Sequence, residues 1–195
     1  TRFANPHGMD QENHYSTAYD LALMMQACLE HDEFITVTTT PKHNVPATNM
    51  SKEREIYNTN GLVSSWTYSS YLYDKCIGGK TGTTDAAGRC LVAAARDGDE
   101  VLISVILGSG PMEVPGEEKL KQGQFRESRR LLEYGFSNFH RVTITRGDEP
   151  VDTVKVTMSR QADEVNVKPQ GSITKTLPKS IDLDDIETDI RLFSK

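Results

Sequence analysis

The chain has 195 residues, 36% hydrophobic and 26% charged, with a formal net charge of −6. That length suffices for one sizeable core, or one core plus a small appendage. The acidic balance argues against a nucleic-acid backbone or an anionic membrane surface as partner, and no apolar run reaches the about 18 residues that a membrane helix needs.

Residues 1–14, TRFANPHGMDQENH, are polar and turn-rich and read as a loop. The stretch STAYDLALMMQACLEHDEF follows, with Ala18, Leu21, Ala22, Met25, Cys28 and Leu29 on one helical face. Thr17 and Asp20 resemble a capping box at its start. One helix packed against a core is expected there. Residues 36–60 are rich in Thr, Asn, Lys and Pro without a clean period, and read as loops with short strands. Asn60-Gly61 is a hairpin-type dipeptide whose partner strand is unclear.

Three strands are expected at 73–83, 89–96 and 100–108. TDAAG joins the first pair, and Asp97-Gly98-Asp99 joins the second, so the three form an antiparallel meander. Apolar residues on both faces of the middle strand suit a sheet with helices on each side, or one helix layer and a cleft. A helix is expected at about 117–138, its apolar side supplied by Leu120, Phe125, Leu131, Leu132 and Phe136. After His140 the pattern alternates and is rich in β-branched residues, ending in DIRLFSK, which reads as a strand. The expected fold class is therefore α/β in the broad sense (α+β): an antiparallel sheet flanked by helices over 1–140, then a small all-β domain over 141–195.

Cys76-Ile-Gly-Gly-Lys-Thr-Gly-Thr-Thr raises a choice between a phosphate cradle and a different kind of site. A phosphate loop would need glycine at position 74, which is Asp74, and a helix after Thr81, where a turn and a strand are expected. The alternative is Lys-Thr-Gly on a strand. Lys80 would bring positive charge to a cleft. Thr81 would donate a hydroxyl hydrogen bond to a substrate carboxylate, strengthened by that charge. Gly82, lacking a side chain, would let a peptide lie along the strand edge. The backbone N–H of Thr83 could face a developing oxyanion.

The order TRFANPHGMD, HYSTAYDLALMMQACL, YNTNGLVSS, GGKTGTTDAAGRCLVAAARDG, LLEYGF resembles the low-molecular-mass penicillin-binding proteins, the serine D-alanyl-D-alanine carboxypeptidases, over about residues 1–140. The resemblance implies a partial penicillin-binding-protein/β-lactamase-like domain, and the β module resembles the small C-terminal domain such enzymes carry. It implies acyl transfer on peptidoglycan stem peptides, with β-lactams as covalent inhibitors and no cofactor. The family's nucleophile lies in S-x-x-K upstream of K-T-G, with S-x-N between them. Here S-x-N does not occur, and the sole S-x-x-K is Ser172–Lys175, downstream in the β module. The chain starts at Thr1 rather than Met, where the family reads Thr-x-Phe-x-x-x-x-Gly, so a missing N-terminal segment of the same domain is the expected partner. The isolated chain is expected to be inactive. Family members often have arginine where this chain has Thr59, and many have one where Gln124 aligns, with Arg126 two residues on.

His7, Asp10 and His14 form a trio with metal-ligand chemistry but no H-E-x-x-H spacing, so turn and capping roles are expected and no metal. Arg146-Gly147-Asp148 reads as a hairpin tip, and the acidic 182–189 as a solvated edge. Cys28, Cys76 and Cys90 read as small buried hydrophobes that do not decide the redox compartment. An extracytoplasmic place in the cell envelope follows from the resemblance alone. The alternative to an enzyme portion is a non-catalytic relative that binds peptides without cleaving them.

Overall fold

The computed structural model describes residues 1–113, 121–157, 160–187 and 189–191, and divides into two compact units, Thr1–Phe136 and Ser137–Lys195. In the first unit the opening loop is closed on itself. Arg2 and Tyr15 exchange backbone hydrogen bonds of 2.8 and 3.0 Å. Within it, Asn5 Oδ1 accepts from Gly8 N at 2.8 Å, and Asn5 Nδ2 donates to Met9 O at 2.9 Å.

Helix α1 spans Ala18–Cys28, and Thr17 caps it by accepting from Asp20 N at 3.1 Å. The expected single helix through Phe34 is two. After a break at residues 29–31, α2 runs Asp32–Thr39. Asp32 and Glu33 explain the break, because carboxylates favour the positive N-terminal end of a helix over its C-terminal end. The run Ile35–Thr40 is β-branched, which disfavours helix. Here Thr38, Thr39 and Thr40 return their hydroxyls to the carbonyls of Phe34, Ile35 and Thr36 at 2.8, 2.7 and 2.6 Å. Those bonds satisfy the hydroxyls locally, so part of the segment read as loop is helical.

Strands β1 (Lys42–Val45) and β2 (Arg54–Tyr57) pair antiparallel. Asn58 then ties the segment to α2 by donating to Thr38 O and Thr40 O at 2.9 and 3.1 Å. Asn60-Gly61 is not a hairpin tip. Asn60 is buried and accepts from Leu62 N at 3.0 Å, while Ser64 N donates to Asn60 O at 2.9 Å. A Cβ on Gly61 would lie 3.0 Å from the Phe125 ring, so the turn is pressed onto the core. A short helix, α3, follows at Ser65–Tyr68, capped by Ser64.

The central sheet is β3 (Cys76–Thr84), β4 (Gly88–Asp97) and β5 (Glu100–Ser109), antiparallel in the order β3-β4-β5. This is the expected meander, although β3 begins at Cys76 rather than residue 73. Pro111–Met112 (β6) pairs with Lys121–Gln122 (β7), and α4 runs Gly123–Asn138. The expected helix start near 117, with Leu120, lies outside the described residues. Lys121 and Gln122 are extended, where helix was expected, because the two-residue pairing and a 2.7 Å bond from Gln122 N to Tyr71 Oη hold them.

Leu91, Ala93 and Ala95 of β4 form one face and are fully buried with Leu62, Phe125, Leu132 and Phe136. Each fully buried leucine contributes roughly 1.5–3 kcal/mol by leaving water. Ser104 and Ser128 share a buried hydrogen bond of 2.6 Å that fixes α4 on β5. Leu131 is 51% exposed, contrary to the expectation, because the helix turns that position off the core. Ala94, on the opposite sheet face, is also fully buried, and α1 lies against β4 and β5.

In the second unit β8 (Phe139–Thr145) pairs with β11 (Ile173–Pro178), and β9 (Asp152–Lys155) with β10 (Glu164–Val167), both antiparallel. Residues 146–149 turn with Glu149 N on Arg146 O at 3.3 Å. Of the expected strand 189–195, residues 189–191 carry no strand pairing and 192–195 lie outside the described residues.

Gly78 and Gly79 carry the closest packing of the sheet. A Cβ on Gly78 would sit 2.2 Å from Thr38 Oγ1, and one on Gly79 would sit 2.3 Å from Val92 O. Backbone cannot yield as a flexible side chain can. Gly79→Ala is therefore expected to destabilise the chain by about 1–3 kcal/mol. Gly82→Ala is expected to change stability far less, since nothing lies within 4 Å of its Cβ. Urea unfolding of the two variants checks the contrast.

Candidate active site

The four residues singled out by the sequence are consecutive on β3. Lys80, Gly82 and Thr83 are exposed and Thr81 is half-buried. Their inner edge is taken by β4, with Lys80 opposite Val92, Thr81 opposite Leu91, Gly82 opposite Cys90 and Thr83 opposite Arg89. Among the described residues no strand pairs with the outer edge. An edge strand with free N–H and C=O groups can accept an extended peptide as a further strand.

Alternation separates the site into two chemistries. Thr81 and Thr83 share a face with Leu91 and Arg89, and Lys80 and Gly82 share the other with Val92 and Cys90. Thr81 Oγ1 lies 2.6 Å from Thr59 Oγ1. This hydroxyl pair brings the turn before Asn60 to the strand, and no local pattern could reveal it. The Lys80 ammonium donates to the carbonyl of Thr81. Arg89, on the Thr81 face, donates to Gln122 Oε1. Gln124 is buried, and its Nε2 reaches the same oxygen at 3.5 Å. Arg126 is paired with Glu127 at 2.9 Å.

The far end of β3 is pinned by the opening loop. Thr84 Oγ1 donates to Asp10 Oδ1 at 2.8 Å and accepts from Ala87 N at 3.0 Å. One hydroxyl thus links the loop, the strand end and the turn at 85–87. His7 and His14 use Nδ1 to accept from Met9 N and Ala4 N, at 3.2 and 3.1 Å. At the near end, burial pushes the Cys76 thiol up from its ordinary pKa, a shift partly opposed by the Gly78 backbone and the Asn60 amide. Ser172, the serine of the lone S-x-x-K, accepts from Gly147 N at 3.2 Å within the second unit.

The family model of the D-alanyl-D-alanine carboxypeptidases, peptidase family S11, matches residues 1–110, more than half of the chain. The chain belongs to this family. It is 29% identical over 194 residues to the D-alanyl-D-alanine carboxypeptidase DacF of Bacillus subtilis, covering 98% of this chain and 45% of the relative. It is 34% identical over 187 residues to DacC of Escherichia coli, covering 92% of this chain and 40% of the relative. Penicillin-binding protein 5 from Haemophilus influenzae superposes with a TM-score of 0.67 at 26% identity, over 92% of this chain and 46% of that structure. The fold is that of the penicillin-binding proteins, and the chain spans under half the length of these relatives.

Thr84→Val removes both bonds of the hydroxyl. The amide of Ala87 is then expected to exchange with solvent roughly five- to tenfold faster, in line with the loss of a net ~1 kcal/mol hydrogen bond. Hydrogen exchange followed by NMR measures this directly.

Proposed function

We propose that this chain is the K-T-G-bearing portion of a serine D-Ala-D-Ala carboxypeptidase of the cell envelope. The observation that carries the reading is the exposed edge of β3, with Lys80, Thr81, Gly82 and Thr83 in succession and no strand on the outer side among the described residues. The substrate is a peptidoglycan stem peptide, laid along that edge as an added strand. Thr81 donates its hydroxyl to the peptide's terminal carboxylate, and Lys80 supplies positive charge to the cleft. The N–H of Thr83 stabilises the oxyanion that develops at the scissile carbonyl.

The nucleophile is a serine of an S-x-x-K segment upstream of Thr1 in the same domain. It attacks the penultimate D-alanine carbonyl, D-alanine leaves with a proton on its amine, and water then splits the acyl ester to regenerate the serine. β-Lactams acylate the same serine. The β-rich domain, residues 141–195, carries no histidine or cysteine and serves as a spacer or interaction surface. The membership in the carboxypeptidase family supports this reading over a non-catalytic peptide-binding relative. An upstream sequence lacking S-x-x-K and S-x-N would favour the relative.

In the protein that includes the upstream segment, Lys80→Ala is expected to slow penicillin acylation about a hundred- to a thousandfold, the usual loss for one preorganised contact of about 2.7–4 kcal/mol. An unchanged acylation rate, with the fold intact by circular dichroism, removes the assigned role. The chain of 195 residues alone is expected to form no covalent adduct with penicillin. Intact-mass measurement after incubation checks this, and a stoichiometric adduct on any of its serines contradicts the proposed division of labour.

A further inference from the structure

Arg89 stands in an unusual electrostatic position. It is half-buried on β4, directly opposite Thr83. Side chains of such opposed pairs emerge about 4.5–5.5 Å apart on one face. That face also carries Thr81 and its 2.6 Å contact with Thr59, so a guanidinium and hydroxyls share the end of the K-T-G strand. The partner of the guanidinium is the neutral oxygen of Gln122, and no Asp or Glu among the described residues forms an ion pair with it. A partly desolvated cation without an anion is costly. Gln122 is itself held, its N–H donating to Tyr71 Oη at 2.7 Å, so the guanidinium is oriented before any ligand arrives. One of its five N–H donors is engaged with Gln122, which leaves room for the two-pronged bond a carboxylate prefers.

The neighbouring cations are less suited. Lys80 projects from the other face and donates to its own strand. Arg126 and Arg129 are paired with Glu127 and Glu133 at 2.9 and 2.7 Å. We propose that Arg89 is the specificity residue that binds the terminal α-carboxylate of the peptide, together with the Thr81 hydroxyl. This rests on the carboxypeptidase reading above and deepens it. Thr59 and Gln124 carry no positive charge, and Arg89 stands on β4 opposite Thr83. The protein then selects peptides ending in a free carboxylate over the same peptides with a neutral C-terminus.

The test is binding to the full chain, followed by NMR with N-acetyl-D-Ala-D-Ala and with its C-terminal amide. The acid is expected to shift the Thr81 and Thr83 amides and the Arg89 Nε–H, and to bind at least tenfold more tightly than the amide. Arg89→Gln is expected to weaken binding of the acid roughly tenfold to a hundredfold, as for lost charge-assisted bonds, and to leave the amide unchanged. Arg89→Lys is expected to restore part of the preference. Equal weakening of both ligands, unchanged binding of the acid, or no binding of the acid by the wild-type chain each overturns the proposal. If Arg89→Gln fails to fold, the wild-type Nε–H signal decides: no shift with the acid, or an equal shift with the amide, overturns it. Hydrolysis by the protein with its upstream segment separates the two readings. Binding through Arg89 without hydrolysis keeps the carboxylate site and removes the enzyme. Hydrolysis indifferent to Arg89→Gln does the reverse.

Discussion

Among the described residues, strand β3 is paired with another strand along one edge only. From Gly78 to Thr84 its inner edge pairs in regular register with β4, from Ala94 back to Gly88. A backbone donor or acceptor buried without a partner costs free energy comparable to a lost hydrogen bond. No described strand takes up the donors and acceptors on the outer edge of β3, which leaves them to water or to a further extended segment. The peptide-binding role proposed for K-T-G depends on this constraint, because the same three residues on an inner strand could not bind an extended chain.

The rest of the first unit keeps that edge in place. Beneath it, Leu91, Ala93 and Ala95 bury against α4, so β4 is a rigid base rather than a flexible ribbon. At one end, α2 and the Asn60 turn close on Gly78 and Gly79, where no Cβ would fit without displacing its neighbours. At the other, Asp10 and Thr84 hold the turn. The buried core supplies most of the stability. The polar contacts at the two ends are worth about 1 kcal/mol each and contribute position more than energy.

The pleat then sorts the side chains of this string by parity. Odd positions along Lys80–Thr83 place hydroxyls on the face shared with Arg89, and even positions place the ammonium on the other. A one-residue slip of β3 against β4 would exchange these faces. The bulge near Ile77 lies before the motif, and the register is regular through it.

Much of this was legible locally. The three strands follow from short apolar runs bounded by turn dipeptides, and the Thr17 cap from residue type and spacing. Lys80, Thr81, Gly82 and Thr83 were found as a string because they are adjacent in the chain. Other features needed long-range contacts. The acidic pair Asp32–Glu33 and the back-bonded threonines made a second helix out of a segment whose β-branched composition argues for extended chain. Asn60-Gly61 carries a hairpin signal, yet burial against Phe125 decided its use. Leu131 fits the helical stripe and faces water. Residue type and spacing alone determined the meander, the capped first helix and the placing of Lys80–Thr83 as one string on β3. Only the tertiary structure decided that β3 stands at the edge of the sheet among the described residues, that Thr59 meets Thr81, and that Arg89 shares their face. Those facts depend on strand order and register between residues far apart in the chain, which no local period encodes.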